Sequence, residues 1–285
     1  MPQLCHKRIS GPLALAALVL LFGTGSVPAA QKPQRVVSLN LCTDQMLLAL
    51  ADREQIASLS PLAVDRSLSF LADEAEGLPM NEGKGEAILF GGADLVLTGS
   101  FGQYNRTSLL EGQGLEVLAL DPWQSLEQGR EQIRTVARRL GHPERGEALI
   151  ADIDAALGRT KDIVPDGRSI LHYQRRGWVP ASASLMGEIL QHMGFTLHQD
   201  RLGLSGGGVA RLEEIVTRPP DYMLMEDDAG RAVDNGSALL VHPALTESVP
   251  PERRLSMAGR LEICGGPSTP AAIDALAEEV RKKVR

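Results

Sequence analysis

Five histidines follow residue 30, His142, His172, His192, His198 and His242, and no two of them stand four apart around a glutamate. No CxxC pair occurs either, so neither of the usual zinc patterns is present. His192 and His198 bracket Met193, Gly194 and Phe195, a spacing that suits packing or surface roles. There is no P-loop and no GxGxxG, and Gly206, Gly207 and Gly208 read as a loop, not a phosphate cradle opening a long helix. Two carboxylates for glycoside cleavage can always be chosen from 36 acidic residues, so without a spacing rule such a pair means nothing. No catalytic set, no protein metal site and no resident cofactor is expected.

Aromatic side chains are few, two Trp, three Tyr and five Phe, so their placement is informative. Phe101, Tyr104 and Arg106 cluster in one half of the chain, Tyr173, Arg175, Arg176 and Trp178 in the other, and Trp123 follows Asp121 and Pro122. Rings at such positions stack on bulky ligands, and arginine holds carboxylates and other planar anions. Plainer roles are open to the same residues: Trp123 and Tyr173 as plugs at the ends of two sheets, each arginine as solvated charge. Cys42 (SLNLCTDQ) and Cys264 (EICGGP) form either a disulfide, the default in an oxidising compartment, or two reduced thiols lining one site.

The elements that must position these residues are those of an α/β protein. Short aliphatic runs at 35–39, 55–59, 94–99 and 115–120 alternate with helical stretches at 43–51, 66–76, 107–113 and 125–141. A second series has runs at 169–173, 222–226, 237–241 and 253–257, a helical SLMGEILQHMG, and a last helix from about Pro270 to Arg285. Strands of four to six residues separated by helices predict parallel sheets with crossovers. Between the series, residues 143–164 carry Leu149, Ile153, Ala156, Thr160 and Ile163 along one helical stripe, long enough to bridge two lobes. In such sheets ligands meet the loops after strand C-termini, which here include Asn40 to Asp44, Ser60 to Arg66, Ser100 to Arg106 and Gln174 to Val179. The halves share one further echo: Glu86 leads in eight residues to Asp94, and Glu213 in eight to Asp221.

Lys7 and Arg8 precede the apolar run Leu13 to Phe22, then Gly23, Gly25, Pro28, Ala29 and Ala30. Ten apolar residues are too few to span a bilayer and fit the core of an export signal cleaved after Ala29 or Ala30. The expected organisation is therefore a signal peptide at 1–30, an N-terminal lobe at 31–142, an interlobe helix at 143–164 and a C-terminal lobe at 165–285. Formal net charge is −7, and loss of Lys7 and Arg8 makes it −9, which disfavours a nucleic-acid partner.

RVVSLN after the signal, GEAILFGGADLVLTG in the first half, LEEIVTRPPDYMLM in the second and a single long helix between them resemble the periplasmic substrate-binding proteins of cobalamin, ferric-siderophore and haem ABC importers. VHPAL (241–245) and EICGGPSTPAAIDAL (262–276) look like that family's last strand and helix. The resemblance implies two Rossmann-like lobes joined by one helix, a monomer in the periplasm, a metal chelate held in the interlobe cleft, and delivery to a permease dimer that touches the membrane on its behalf. It implies ligand contacts from the strand-end residues Asn40, Cys42, Phe101, Tyr104, Arg106, Trp123, Tyr173, Arg175, Arg176 and Trp178, with Tyr104 or Tyr173 as candidate axial donors to haem. Glu86 and Glu213 match the acidic residue that docks each lobe on the permease, with Glu214 as a stand-in for Glu213. A Cys42–Cys264 disulfide would then tie one lobe to the other. The receptors for bare metal ions share this architecture but place a ligating His beside a cleft Trp, absent from Asp121-Pro122-Trp123. The rival readings are such a receptor, needing three or four converging His, Asp or Glu side chains, or a secreted α/β enzyme, for example with Ser100 and His172.

Overall fold

A computed structural model of the chain describes residues 1, 32–100, 104–164, 167–226, 234 and 236–284. The expected signal and Phe101 lie outside the described residues, as do the side chains of Tyr104 and Arg106.

The N-terminal lobe runs β1 (Val36–Ser38), α1 (Leu41–Leu50), β2 (Ile56–Ser58), α2 (Gly85–Phe90), β3 (Leu95–Gly99), α3 (Tyr104–Gly112), β4 (Val117–Leu120) and α4 (Leu126–Leu140). Then α5 (Pro143–Thr160) crosses to β5 (Ser169–His172), β6 (Trp178–Val179), α6 (Leu185–His192), β7 (Thr196–Leu197), α7 (His198–Arg201), β8 (Gly208–Val209), α8 (Leu212–Thr217), β9 (Tyr222–Glu226), α9 (Pro243–Ser248), β10 (Arg254–Met257), α10 (Gly259–Glu262) and α11 (Thr269–Lys283). The first sheet has the order β2-β1-β3-β4 and the second β7-β5-β9-β10, each parallel throughout. The lobes therefore repeat one topology, with β1 matching β5 and β3 matching β9. Strands β6 and β8 form a separate antiparallel pair.

The Glu-to-Asp echo has a backbone cause. Asp94, just before β3, accepts from the N–H groups of Gln34 at 2.6 Å and Arg35 at 3.0 Å, where the chain enters β1. Asp221, just before β9, accepts from Ser169 N–H at 2.8 Å and its hydroxyl at 2.7 Å, at the start of β5. Each aspartate thus sets the register of the central strand pair of its lobe by satisfying donors at the strand's open end.

Period-two alternation places the side chains of each sheet on two faces. Val36, Leu95 and Leu97, with Ile170 and Leu224, belong to one core that passes through α4, α5 and α11, whereas Val37 and Val96 face α2 and α3 and Leu171, Met223 and Met225 the outer layer of the second lobe. Helix α5 packs on both α4 and α11. Gly146 lets it approach α4 closely, since a Cβ there would lie 2.6 Å from that of Ala137, and Arg159 on α5 pairs with Asp274 on α11 at 2.8 Å.

Several sequence expectations change. Residues 66–76 are a string of turns, not a helix: Asp65 takes the N–H and hydroxyl of Ser67, and Arg53 holds the carbonyls of Glu74 and Glu76, so local bonds displace the helical ones. Residues 238–241 form a 3₁₀ turn in place of a strand, opened by Asp234 accepting from Ser237 N–H at 2.9 Å. His242 and Pro243 begin α9, so the last strand is β10, not VHPAL. Helix α5 ends at Thr160, about 27 Å long at 1.5 Å per residue. Asp162 takes φ +50° there, and the N–H groups of Asp162 and Val164 turn to the carbonyls of His192 and Met193 behind α6. Gly208, expected in a loop, starts β8.

The lobes meet at Trp123. Its indole is wedged between Gly129 of α4 and Gly265 after α10, and a Cβ at either glycine would overlap the ring. Its Nε1–H donates to Gln132 at 3.1 Å, and its carbonyl accepts from Leu185 N–H, at the start of α6, at 3.2 Å. Glu188 of α6 accepts from Leu126 N–H at the start of α4, a capping bond that crosses between lobes. Gly→Ala in a helix interior ordinarily stabilises by about 0.5–1 kcal/mol. Gly129→Ala is expected to do the reverse, destabilising by about 1–3 kcal/mol through overpacking against Trp123, as read in a denaturant melt.

The start of the described chain is anchored to α5 by one carboxylate. Asp52 bonds Lys32 at 2.5 Å, Arg145 at 2.7 Å and His142 at 3.1 Å. Lys32 first and Arg145 second hold the Asp52 carboxyl well below the usual range. A lowered folded-state value means this stabilisation is present above the unfolded carboxyl value of about 4 and is lost as pH falls through the folded value. Asp52→Asn should therefore lower the melting temperature at neutral pH, with the gap to wild type closing as the pH is taken below about 4.

Candidate ligand-binding site between the lobes

A cavity of about 590 Å³ opens where the C-terminal ends of both sheets face each other. From the first lobe come Asn40 after β1, Gly99 at the end of β3, Leu120 to Trp123 after β4, and Leu41, Met46, Leu62 and Leu68; the second supplies His172 ending β5, Gln174, Leu185 and Met186 of α6, and Glu262 to Gly265 after β10. This is the placement expected of ligands on doubly wound sheets, within the size range of small-molecule sites.

Asn40 caps α1, its Oδ1 accepting from the N–H groups of Cys42 at 3.0 Å and Thr43 at 3.1 Å, which fixes the loop that carries Cys42 to the cavity. Cys42 and Cys264 are joined by a disulfide, Cα atoms 5.2 Å apart, and both line the cavity. Trp123 is 9% exposed, its remaining surface turned to the cavity. Asn40, Cys42 and Trp123 are thus brought together.

Other strand-end residues go elsewhere. Tyr173 is fully buried in the outer core of the second lobe with its hydroxyl unpaired, and burial, then the Glu213 carboxylate, pushes its phenol above the ordinary value. That position does not present a phenolate to the cavity. Arg175 is ion-paired with Asp234, and Arg176 sits in the left-handed region at φ +60°, its N–H on the carbonyl of Gly236. Trp178 is 48% exposed on the β6–β8 ribbon. These four lie outside the cavity wall because the chain turns through a 3₁₀ segment after β5 and carries them away from the strand axis.

The sequence reading missed the polar part of the wall. His172 Nε2 lies 3.2 Å from Glu262 Oε2 and 3.2 Å from Gln174 Nε2. The alternation of β5 and the chain after β10 aim these groups at the cleft; the only sequence signal was that both runs end beside it. Ser100 is exposed and does not line the cavity, so it does not meet His172 there. Gly203-Leu204-Ser205-Gly206-Gly207 has the spelling of a nucleophile elbow, but Ser205 is exposed in the turn between α7 and β8, not on a strand-to-helix bend. Among the described residues no group of three or more His, Cys, Asp and Glu side chains is placed to hold a metal ion.

Glu86 and Glu213 are exposed on α2 and α8, the helices that precede the matching strands β3 and β9. Glu214 is occupied instead, accepting from Arg211 N–H at 3.1 Å.

A family model described as periplasmic binding protein matches residues 36–248. The chain belongs to the periplasmic binding protein family. A periplasmic haem-binding protein from Pseudomonas aeruginosa aligns over 88% of this chain and 93% of its own, with TM-score 0.67 and 21% identity. The haem-binding protein BhuT, solved with two haems, covers 86% and 98% at TM-score 0.67 and 20% identity. Unliganded FhuD2 of Staphylococcus aureus covers 89% and 100% at TM-score 0.67 and 15% identity. At these identities the fold is what is shared: two lobes joined by one helix. Against curated protein sequences the chain has no significant match.

Because the disulfide closes 222 residues of sequence, the double variant Cys42→Ser, Cys264→Ser should lose up to about 5 kcal/mol in the chain-entropy picture, measured by denaturant unfolding. Thiol titration of the native, unreduced periplasmic form should find neither cysteine reactive.

Proposed function

We propose that this chain is the periplasmic solute-binding component of an ABC importer and that it captures a metal chelate, such as an iron–siderophore, haem or a cobalamin-like corrinoid, in the interlobe cavity. The observation that carries the reading is the cavity itself: mostly apolar, floored by Trp123, and walled by the strand ends of both lobes. Haem binding by BhuT and by the Pseudomonas protein, named for that ligand, supports the chelate class. Residues 1–30 act as the export signal, and the protein works as a monomer. The disulfide, the Trp123 wedge and α5 hold the lobes at nearly fixed separation, so capture proceeds with little closure. Delivery follows when Glu86 and Glu213, at equivalent places on the two lobes, meet a pseudo-symmetric permease dimer; ATP hydrolysis in the partner drives release.

The test is a tryptophan-fluorescence titration against cobalamin, haemin, ferric chelates and bare divalent metals. A saturable change with one chelate class and none with bare metals is expected. Binding of no chelate, together with turnover of a model ester, would overturn the reading. Alanine at Glu86 or Glu213 should leave ligand affinity unchanged and cut uptake by reconstituted transporter at least about tenfold.

A further inference from the structure

Charge among the described residues of the cavity wall is one-sided. Among the described residues Asp121 and Glu262 line it, and no lysine or arginine does. The Glu262 side chain is 5% exposed, as is that of His172 beside it. Both Glu262 carboxylate oxygens, and His172 Nδ1, are buried with no hydrogen-bond partner; the 3.2 Å approach of His172 Nε2 is close but not aligned as a bond. A carboxylate withdrawn from water ordinarily gathers donors, and a buried one without them is a group whose partner is still to arrive. The described lining does hold side-chain donors, Asn40, Thr43, Gln132, Gln174 and Ser184, but none of them bonds Glu262. Three rotatable bonds let the Glu262 head turn from His172 into the cavity, and Gln174 can then take over the imidazole.

We propose that Glu262, backed by His172 and Gln174, is the recognition pole of this cavity, and that it takes a positively charged or amide N–H end of the bound chelate in preference to a carboxylate-bearing one. The inference rests on the reading of the cavity as a chelate site and narrows it: the end of the ligand that meets Glu262 carries N–H donors or positive charge. An anionic chelate would face Asp121 and Glu262 with no cation among the described lining residues to offset them.

Matched probes test this on the purified full-length mature protein by calorimetric titration: ferrioxamine B with its free ammonium against its N-succinyl derivative, cobalamin against the monocarboxylate made by hydrolysing one peripheral amide, and haemin. In whichever pair binds, the N–H member should bind at least about tenfold more tightly, and Glu262→Gln should shrink that preference to under about threefold. Equal or tighter binding of the carboxylate member, binding of haemin alone, or a preference untouched by Glu262→Gln would overturn the inference while leaving the chelate-receptor reading standing. Failure of every probe to bind would overturn both. If Glu262→Gln lacks a cooperative melt, the wild-type preference between the matched probes decides on its own.

Discussion

The packing of one indole between two glycines lets the two sheets share a single cleft. Trp123 leaves the first lobe at the end of β4, lies on Gly129 of its own lobe and on Gly265 of the other, and gives its carbonyl to the first turn of α6. Next to it, Cys42 and Cys264 cross the same gap covalently. Any rigid-body movement of the lobes must shear this contact, and a close-packed ring has little room to slide. Trp123, Cys42 and Cys264 all line the cavity, so the joint forms part of its wall. A stiff α5 at the back and this joint at the front leave the lobes few ways to move.

Function in such a molecule comes from what the joint leaves open. The wall is largely apolar, and a desolvated apolar pocket strengthens the few polar contacts made inside it. Here the second lobe brings His172, Gln174 and Glu262, and the first brings Asn40, Asp121 and Gln132 together with the aromatic and aliphatic floor. Both lobes thereby put an acidic group in the wall, Asp121 after β4 in the first and Glu262 in the second. The exposed glutamates Glu86 and Glu213 stand apart from the cavity, on helices α2 and α8 that repeat between the lobes.

The repeated topology explains why so short an echo as Glu-x₇-Asp is present twice. Asp94 and Asp221 perform the same act, holding the open backbone donors where the first strand of each lobe begins. The matching glutamates open the helices before those aspartates, so the spacing between helix start and strand start is tied to the length of the turn that links them.

Alternating aliphatic runs, helical stretches between them and the long stripe from Leu149 to Ile163 make the α/β class, the parallel sheets and the bridging helix legible in the residues, because periodicity is a local property. Local side-chain bonds displace the periodic structure at two places, a helix after Asp65 at residues 66–76 and a strand after Asp234 at residues 237–241. The site was legible in part. Asn40, Cys42 and Trp123 were marked by type and by their place after strands, but Tyr173, Arg175, Arg176 and Trp178 shared those marks and point into the core, to an ion pair or to solvent. Which side of a strand end faces the cleft depends on register and on the turn that follows, and those are set by contacts between lobes. The residues by themselves determined that two Rossmann-like lobes would form around one helix; only the tertiary structure decided that Glu262 would be buried beside His172 in their shared wall, since 90 residues of sequence and a second layer of packing lie between them.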